Sequence, residues 1–272
     1  MTASSTAPWL FLLVSLWGAA FTATVVLRLR RIGYFIIPYF FMGWITGELA
    51  VHHVVWQAIA SIAFVASGAL GAWPGWLALA ITLASWAALL RFQRRAGGVG
   101  SVFASALGEH CTDEPIAPTA LIPFRQVARP FKMRKHGVER IRDIAYGPHG
   151  HRNHLDLYRP RDPAGPCPIL FQIHGGGWTI GKKDEQALPL MYHLAARGWL
   201  CVAANYRLSP RATFPEHLID VKRALAWTKA HAAAYGGDPR FVVVTGGSAG
   251  GHLAALVALT ANDPEYQPGF ES

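Results

Sequence analysis

The sequence is short of charged residues. Only 15% of its 272 residues are Asp, Glu, Lys or Arg, whereas 52% are hydrophobic, and soluble globular domains usually carry about 25% charged residues. The shortage is greatest near the start, because Glu48 is the only acid before Arg95. Such a composition does not fit a purely soluble protein.

Two kinds of binding pattern are missing as well. The three cysteines, Cys111, Cys167 and Cys201, cannot all pair with one another and lack the spacing of metal ligands. This argues against a disulfide scaffold, and we expect neither a metal site nor a cofactor. The formal net charge is +9, but no alternation of basic and aromatic residues indicates a nucleic-acid partner. Several arginines instead stand beside apolar segments, as charges at the ends of membrane helices do.

The first part of the chain consists mainly of apolar runs. Residues 8–27 form an uncharged run of 20 residues, about the length needed to cross a hydrocarbon core. A secretory signal peptide is the alternative, but basic residues follow this run and none precedes it. Further runs lie at 33–51, 54–70 and 75–90. We therefore predict a multi-pass transmembrane anchor of three or four helices over residues 1–95.

The basic residues of this anchor form two clusters that flank its apolar runs: Arg28, Arg30 and Arg31, and Arg91, Arg94 and Arg95. The positive-inside rule places both clusters on the cytoplasmic side, which requires an even number of crossings between them. Three candidate runs lie there, so one is expected to be re-entrant or merged with a neighbour, and the run at 33–51 is the weakest. This favours a cytoplasmic position for the rest of the chain.

Residues 96–140 have a different character. They contain Gly97 and Gly98, four prolines and a basic stretch. This composition predicts either a linker that lies near the membrane surface or a cap over a site in the following domain, and the sequence leaves both open.

Residues 141–272 alternate between strand and helix patterns. Runs typical of strands lie at 141–146, 154–158, 167–173, 200–205 and 241–245, and helical patterns lie at 186–197, from about 215 onward, and at 249–260. This alternation predicts an α/β domain with a mainly parallel sheet that has helices on both faces.

The stretch Gly246-Gly247-Ser248-Ala249-Gly250 fits the pattern G-x-S-x-G between a predicted strand and a predicted helix. A serine on such a tight turn needs glycine neighbours, and its hydroxyl is exposed at the carboxyl edge of the sheet. Ser248 is then a candidate nucleophile, and the amide of Ala249 can donate to an oxyanion. A tight packing turn is the structural alternative.

A second motif, His174-Gly175-Gly176-Gly177-Trp178, directly follows the predicted strand 167–173. Consecutive glycines leave backbone N–H groups unshielded, which an oxyanion hole requires. The occurrence of both motifs at strand ends favours the catalytic interpretation over a flexible loop.

With these motifs the chain resembles the α/β-hydrolase superfamily, in particular its hormone-sensitive-lipase-like carboxylesterase and lipase branch. The resemblance covers about residues 141–272, and the sequences that carry it are HGGGW at 174–178, NYRLSP at 205–210, FPEH at 214–217, GGDPRFVVV at 236–244 and GGSAGG at 246–251.

The resemblance implies roles for individual residues. Ser248 would be the nucleophile, and the amides of Gly175, Gly176 and Ala249 would form the oxyanion hole. His174 and Gly177 would support the glycine loop, with His174 not acting as a base. The family often has Asp where this chain has Gly247, a variation that leaves the nucleophile unaffected.

In this superfamily the catalytic Asp and His follow the serine in the chain. After Ser248 the only histidine is His252, which we expect to pack beside its helix and away from the mouth of the site. Asp263 stands in a helix-exit turn, where a capping role is the better interpretation. We therefore expect the catalytic Asp and His beyond Ser272, in a domain that is C-terminally incomplete. The strand at 241–245 would otherwise keep an unpaired edge, which favours aggregation.

The sequence thus predicts a membrane-anchored serine hydrolase that cleaves carboxylic esters, either small or lipid-like, through an acyl-enzyme on Ser248. An amide hydrolase of the aryl-formamidase type uses similar motifs and is the alternative within enzymes. A catalytically inactive, membrane-bound binding protein is the alternative of another class.

Overall fold

The computed structural model describes residues 6–27, 33–108, 128 and 134–270. These residues fall into two compact units, one within residues 1–121 and the other within residues 122–272. The first predicted arginine cluster and much of the predicted linker or cap lie outside the described residues.

The first unit is built from helices only, as far as its residues are described. They are α1 (Ala7–Val26), α2 (Ile36–Glu48), α3 (Ala50–Ala66), α4 (Trp73–Ala96) and α5 (Val99–Gly108). Both α1 and α4 have a proline in the first turn, where its missing N–H costs no hydrogen bond. The four apolar runs of the sequence therefore correspond to four helices.

Two of these segments are long and apolar enough to cross a membrane, namely Ala7–Val26 and Trp73–Ala106. The segments Gly33–Glu48 and Ala50–Ala66 pass the same criterion only together, and they are bent by 88° at the break between them. Counting that bent pair as one span raises the number to three. The run at 33–51, which the sequence indicated as the weakest candidate, thus contains a short helix with a sharp bend at its end.

The helices of this unit pack through small and polar side chains. Ser15 and Thr82 are joined by a hydrogen bond of 2.9 Å between their hydroxyl oxygens, which connects α1 to α4. A Cβ atom at Gly18 would lie 3.0 Å from Nε2 of Gln57, so α1 approaches α3 closely at this glycine. Many large apolar side chains point outward, for example Leu13 and Ile62, which are 66% and 69% exposed, whereas Phe11 and Leu89 are buried.

The second unit contains a five-stranded mixed sheet with the order β1-β2-β4-β3-β5. The strands are β1 (Val138–Ala145), β2 (His154–Pro160), β3 (Cys167–Ile173), β4 (Leu200–Ala204) and β5 (Gly237–Gly246). The pairs β1/β2 and β2/β4 are antiparallel, whereas β4/β3 and β3/β5 are parallel. All strands except β2 therefore run in the same direction.

The expectation of a mainly parallel sheet holds for strand direction but not for strand pairing, because two of the four pairs are antiparallel. The reason is the short connection between β1 and β2. A connection of that length can join only antiparallel neighbours, since a parallel crossover needs a dozen or more residues.

Helices cover both faces of the sheet, as predicted. On one face α7 (Glu216–His231) and α8 (Ala249–Leu259) pack on a core that includes the fully buried Phe171. On the other face α6 (Leu188–Ala195) packs on a smaller core that includes Leu170. Successive residues of β3 face opposite sides of the sheet, so both cores share this central strand.

The element boundaries agree closely with the sequence pattern at β3, which spans the predicted residues 167–173. The strand β1 begins at Val138, before the predicted start at Ile141, and β5 extends beyond the predicted range at both ends. Among the described residues, β5 pairs only with β3 and forms an edge of the sheet. The carboxyl ends of β3, β4 and β5 lie together at one edge of the sheet, where both motifs follow.

Candidate active site

Ser248 lies at the joint between β5 and α8. Its φ of 55° and ψ of −122° fall in a region that residues other than glycine rarely adopt. The side chain is solvent-exposed, and its hydroxyl forms no hydrogen bond with any residue that the structure describes. A strained, exposed serine between a strand and a helix is the arrangement expected of a nucleophile.

Glycines on both sides of Ser248 allow this turn. A Cβ atom at Gly246 would lie 2.4 Å from the carbonyl carbon of Gly250, and one at Gly250 would lie 2.2 Å from the carbonyl oxygen of Ile173. Both positions therefore exclude any side chain. At Gly247, in contrast, a Cβ atom would meet nothing within 4 Å, so the aspartate frequent in the resembling family would fit there.

The glycine loop at the end of β3 lies directly against this turn. A Cβ atom at Gly175 would lie 2.5 Å from the carbonyl oxygen of Gly247 and 3.3 Å from Cβ of Ser248. The next residue, Gly176, has a φ of 125°, which strains any side chain. The two motifs that the sequence singled out are therefore in backbone contact.

One of the loop amides in the predicted site already has a hydrogen-bond partner. The N–H of Gly175 donates to Oε1 of Gln186 at 2.8 Å, so this amide is already occupied and is not free to bind an oxyanion. The amides of Gly176, Gly177 and Ala249 form no hydrogen bond within the described residues. Of the predicted set, the amides of Gly176 and Ala249 are thus without a partner among the described residues, and so is the amide of Gly177.

His174 supports the glycine loop through contacts with Tyr206 and Gly175. Its ring stacks on Tyr206 with 4.3 Å between centroids, and the hydroxyl of Tyr206 donates to the carbonyl oxygen of His174 at 2.9 Å. The Nδ1 atom lies 2.8 Å from the carbonyl oxygen of Gly175, whereas Nε2 is buried without a partner. Burial lowers the pKa of His174, so the ring is neutral and its proton belongs on Nδ1.

Two supporting residues were not found from the sequence. Tyr206 lies in the NYRLSP motif, which could have indicated that this residue supports the site. Gln186 carried no such signal, since it lies in an irregular loop between β3 and α6. Its side chain contacts both polar groups of Gly175, because Nε2 also lies 3.4 Å from the carbonyl oxygen of that residue.

A buried ion-pair network anchors the loop that carries Gln186. Asp156 on β2 is fully buried. Its Oδ2 accepts a hydrogen bond from Nε of Arg140 at 2.9 Å, and its Oδ1 forms an ion pair with Nζ of Lys183 at 2.8 Å. The backbone N–H of Lys183 donates to Oδ1 of Asn205 at 2.7 Å. These bonds fix the segment after the glycine loop to β1, β2 and the end of β4.

The histidine and the aspartate that follow Ser248, His252 and Asp263, have different surroundings. His252 is exposed, and its ring lies edge-on to Trp178 with 5.3 Å between centroids. The expectation that it faces away from the site is therefore wrong, because the first turn of α8 directs it towards the glycine loop. Asp263 accepts a hydrogen bond from the N–H of Glu265 at 3.0 Å, which confirms the predicted capping role.

No histidine side chain among the described residues forms a hydrogen bond with the hydroxyl of Ser248. Within the same residues, no group of three or more His, Cys, Asp or Glu side chains could hold a metal ion. The two described cysteines, Cys167 and Cys201, are buried free thiols.

Known proteins match the part of the chain that carries this geometry. Residues 155–271 match the family model BD-FAE. The second half of the chain is similar to carboxylic ester hydrolases. A probable carboxylic ester hydrolase, LipM of Mycobacterium tuberculosis, is 64% identical over 131 residues, which are 47% of this chain and 30% of LipM. The esterase LipQ of the same organism is 57% identical over 132 residues, 48% of this chain and 31% of LipQ.

A probable isoprenylcysteine alpha-carbonyl methylesterase of Oryza sativa is 40% identical over 119 residues, 44% of this chain and 28% of that protein. The chain therefore spans about 30% of the length of the curated relatives it matches. Among solved structures, an inhibited esterase B from Lactobacillus rhamnosis has 29% identity and a TM-score of 0.46, covering 54% of this chain and 51% of the esterase.

Proposed function

We propose that the chain belongs to a membrane-anchored serine hydrolase that cleaves carboxylic esters through an acyl-enzyme on Ser248. The observation that carries this proposal is the strained backbone of Ser248 and its closeness to the glycine loop. A Cβ atom placed on Gly175 of that loop would lie 3.3 Å from Cβ of Ser248. The names of the curated relatives, all ester hydrolases or esterases, support ester substrates over the formamides considered above.

In the proposed reaction, the hydroxyl oxygen of Ser248 attacks the ester carbonyl carbon and the carbonyl oxygen becomes an oxyanion. The free amides of Gly176, Gly177 and Ala249 would donate to that oxyanion, and Ala249 lies at the positive end of the α8 dipole. Collapse of the intermediate would release the alcohol, and water would then hydrolyse the acyl-enzyme.

The proton of Ser248 needs a histidine to accept it, and the histidine needs a carboxylate to hold its tautomer. We propose that this pair comes from outside the described residues, because none of them forms a hydrogen bond with the Ser248 hydroxyl. His174 would not act as the base, because its Nε2 is buried and forms no hydrogen bond with Ser248 or any other described residue.

The proposed anchor lies within residues 1–95, followed by a linker or cap at 96–140 and the hydrolase domain at 141–272. The anchor is supported by the exposure of large apolar side chains in the first unit and by the burial of hydroxyl groups there, such as those of Ser15 and Thr82. Lipid would solvate such a surface, whereas water would not. The arginine distribution favours a cytoplasmic hydrolase domain, and proximity to lipid favours a lipid-like ester.

The proposal is tested by labelling Ser248 with a fluorophosphonate probe. The whole reading frame that encodes this chain is expressed in membranes, alongside the 272-residue chain alone. We expect rapid labelling of the whole product, loss of labelling in Ser248→Ala, and no change in Ser101→Ala, an exposed serine of the first unit. If the base and acid lie outside residues 1–272, as proposed, the 272-residue chain should react several orders of magnitude more slowly.

Each departure from this result has a distinct meaning. Absence of labelling in the whole product would favour a catalytically inactive binding protein. Persistent labelling in Ser248→Ala would place the nucleophile elsewhere. Equal rates for both products would mean that residues 1–272 already contain the base. Matched ester and formamide substrates would then separate esterase from formamidase activity.

A further inference from the structure

Three helices of the first unit form a bundle in which α1 and α4 run in the same direction. The rings of Trp9 and Trp73, near the start of each helix, lie edge-on with 5.3 Å between their centroids. Further along both helices, the hydroxyls of Thr22 and Ser85 share a hydrogen bond. The carboxyl ends of α1 and α4 therefore lie at the same end of the bundle.

The third helix of the bundle, α3, runs in the opposite direction. Phe64 near its end stacks on Phe11 near the start of α1, with 5.4 Å between ring centroids. His53 near its start lies beside Phe21, near the end of α1, with 5.5 Å between centroids. The start of α3 thus lies where α1 and α4 finish. We call this the arginine end of the bundle, because α4 carries the exposed Arg91, Arg94 and Arg95 there.

The helix α2 packs against the arginine end. A Cβ atom at Gly43 would lie 3.1 Å from the carbonyl oxygen of Thr24, in the last turn of α1. One turn later in α2, a Cβ atom at Gly47 would lie 3.4 Å from Cε1 of Phe92, which follows Arg91 on α4. Since α2 is also bent by 88° from α3, it lies across the end of the bundle and not alongside its helices.

The remaining surface of α2 is apolar and rich in aromatic side chains. Residues 33–47 include no charged residue, and the large side chains that are exposed include Ile36, Ile37, Phe40, Phe41 and Trp44. Aromatic residues are enriched where the hydrocarbon core of a membrane meets the headgroups. Arginines at that level attract the anionic lipids of the cytoplasmic leaflet. The surface of α2 and the charge of the arginine end therefore fit the same layer of a membrane.

We propose that α2 lies in the plane of the membrane, at the boundary between headgroups and acyl chains. Together with Arg91, Arg94 and Arg95 it forms a contact surface for anionic lipid headgroups. The proposal rests on the proposed function, because it takes the first unit as a membrane anchor.

This position of α2 leaves α3 and α4 as the crossings between the two arginine clusters, the first of which follows Leu27 in the sequence. The helix α3 has 17 residues, within the range of roughly 17–25 that spans a hydrocarbon core. Two crossings are an even number, as two clusters on the same side of the membrane require. The contacts of α2 and the distribution of arginines thus lead to the same arrangement.

The test measures how deep α2 lies in a bilayer. The 272-residue chain, with its native cysteines replaced by serine, is reconstituted into vesicles of phosphatidylcholine and the anionic lipid phosphatidylglycerol. A nitroxide is attached to one introduced cysteine at a time, and its depth is obtained from its collisions with oxygen and with a water-soluble nickel chelate. All replaced positions are more than half exposed. The variants are Ile36→Cys, Phe40→Cys and Trp44→Cys on α2, and Val55→Cys, Ile59→Cys and Ile62→Cys on α3.

The two series cover similar lengths of helix, about 12 Å on α2 and about 10 Å on α3. We expect the three depths on α2 to agree to within about 5 Å, the rise of one helical turn, because the helix lies in the membrane plane. The depths on α3 should change steadily by about 10 Å, because that helix crosses the bilayer.

The headgroup contact is tested with spin-labelled lipids in the same vesicles. The chain should immobilise labelled phosphatidylglycerol in preference to labelled phosphatidylcholine, and the combined variant Arg91→Gln, Arg94→Gln, Arg95→Gln should lose that preference. The control is the combined variant Arg161→Gln, Arg197→Gln, Arg211→Gln, which removes the same charge from exposed arginines of the sheet unit. It should keep the preference.

Several results would overturn the proposal. Depths that change steadily by about 12 Å along α2 would mean that this helix enters the hydrocarbon core. Nitroxides on α2 that collide freely with the nickel chelate would mean that water covers it, and nitroxides that collide with neither reagent would mean that a protein surface does. A preference that survives in the first arginine variant, or that both arginine variants lose equally, would remove the arginine end from the contact surface.

Failure of the proposed function gives a different result. If the depths on α3 do not change along the helix, the first unit is not a membrane anchor. If the depths on α3 change as expected while those on α2 do not agree, the anchor stands and only the in-plane position of α2 is wrong.

Discussion

The two units of this chain bury opposite kinds of side chain. In the helical unit the buried positions include Ser15, Thr22, Gln57 and Thr82, while large apolar side chains such as Leu13 are exposed. In the sheet unit the main core instead consists of buried aliphatic and aromatic side chains, although single polar groups such as Asp156 are buried as well.

This contrast is the one expected if the proposed anchor lies in lipid and the sheet unit in water. In water, folding is driven mainly by burial of apolar surface, and the sheet unit follows that rule. Between helices in lipid there is no such driving force, because the lipid tails are as apolar as the side chains. Association there depends on close backbone approach and on hydrogen bonds between helices, and α1 offers both at Gly18 and Ser15.

The largest effect is expected from removing a core side chain of the sheet unit. Phe171→Ala should destabilise that unit by about 3–5 kcal/mol, because it leaves a cavity at a fully buried position. The measurement is the alkylation rate of the buried thiol of Cys201 in the detergent-solubilised chain, with Cys111 replaced by Ser. The rate should rise by about two to four orders of magnitude.

The matched control for Phe171→Ala is Val243→Ala, on an edge strand and 39% exposed, which should change the alkylation rate only slightly. An unchanged rate in Phe171→Ala would mean that this core does not hold the sheet together.

The next effect concerns the exposed apolar positions of the two units. Leu13→Arg on α1 and Leu259→Arg at the end of α8 both replace an exposed leucine, 66% and 81% exposed respectively. In lipid the first change should cost about 2.5–3.5 kcal/mol of insertion free energy. In water the second should cost less than about 0.5 kcal/mol. The fraction of chain that resists extraction from membranes by alkaline carbonate measures the difference, and equal extraction of both variants would contradict a lipid-facing α1.

The smallest effect is expected from a hydrogen bond inside the helical unit. Thr82→Val keeps the shape of the side chain but removes the bond to Ser15, and should cost about 0.6 kcal/mol of stability in detergent. Titration with SDS, followed by the loss of helix packing, measures this cost. Thr24→Val is the control, because Thr24 bonds only to Phe21 of its own helix. A loss of several kcal/mol would show that polar contacts rather than backbone packing hold these helices.

The sequence was most informative where the signal is local. The nucleophile turn needs small residues at fixed offsets from Ser248, and β3 is an unbroken apolar run between turns, so both could be predicted from the residues themselves. The break between α2 and α3 could not be located. It falls at Leu49, directly after Gly47 and Glu48, but a glycine and an acid within an apolar run do not by themselves determine where a helix breaks.

The hydrogen bond of the Gly175 amide and the direction of the His252 side chain could not be predicted from the sequence, because both depend on non-local structure. Gln186 reaches Gly175 only because the ion pairs around Asp156 hold the intervening loop in place. His252 points to Trp178 because the unusual dihedral angles of Ser248 set the rotation at which α8 begins. Neither relation is visible in residue spacing, since both are set by how separate segments are oriented after folding.

The contact between Gly250 and the carbonyl oxygen of Ile173 joins two backbones without an intervening side chain. The separation between Ser248 and the glycine loop is therefore set by direct backbone contact and not by the size of neighbouring side chains. Core substitutions accumulated during evolutionary drift would change the stability of the domain before they changed this separation. The sheet can thus diverge widely in sequence while this backbone contact is kept.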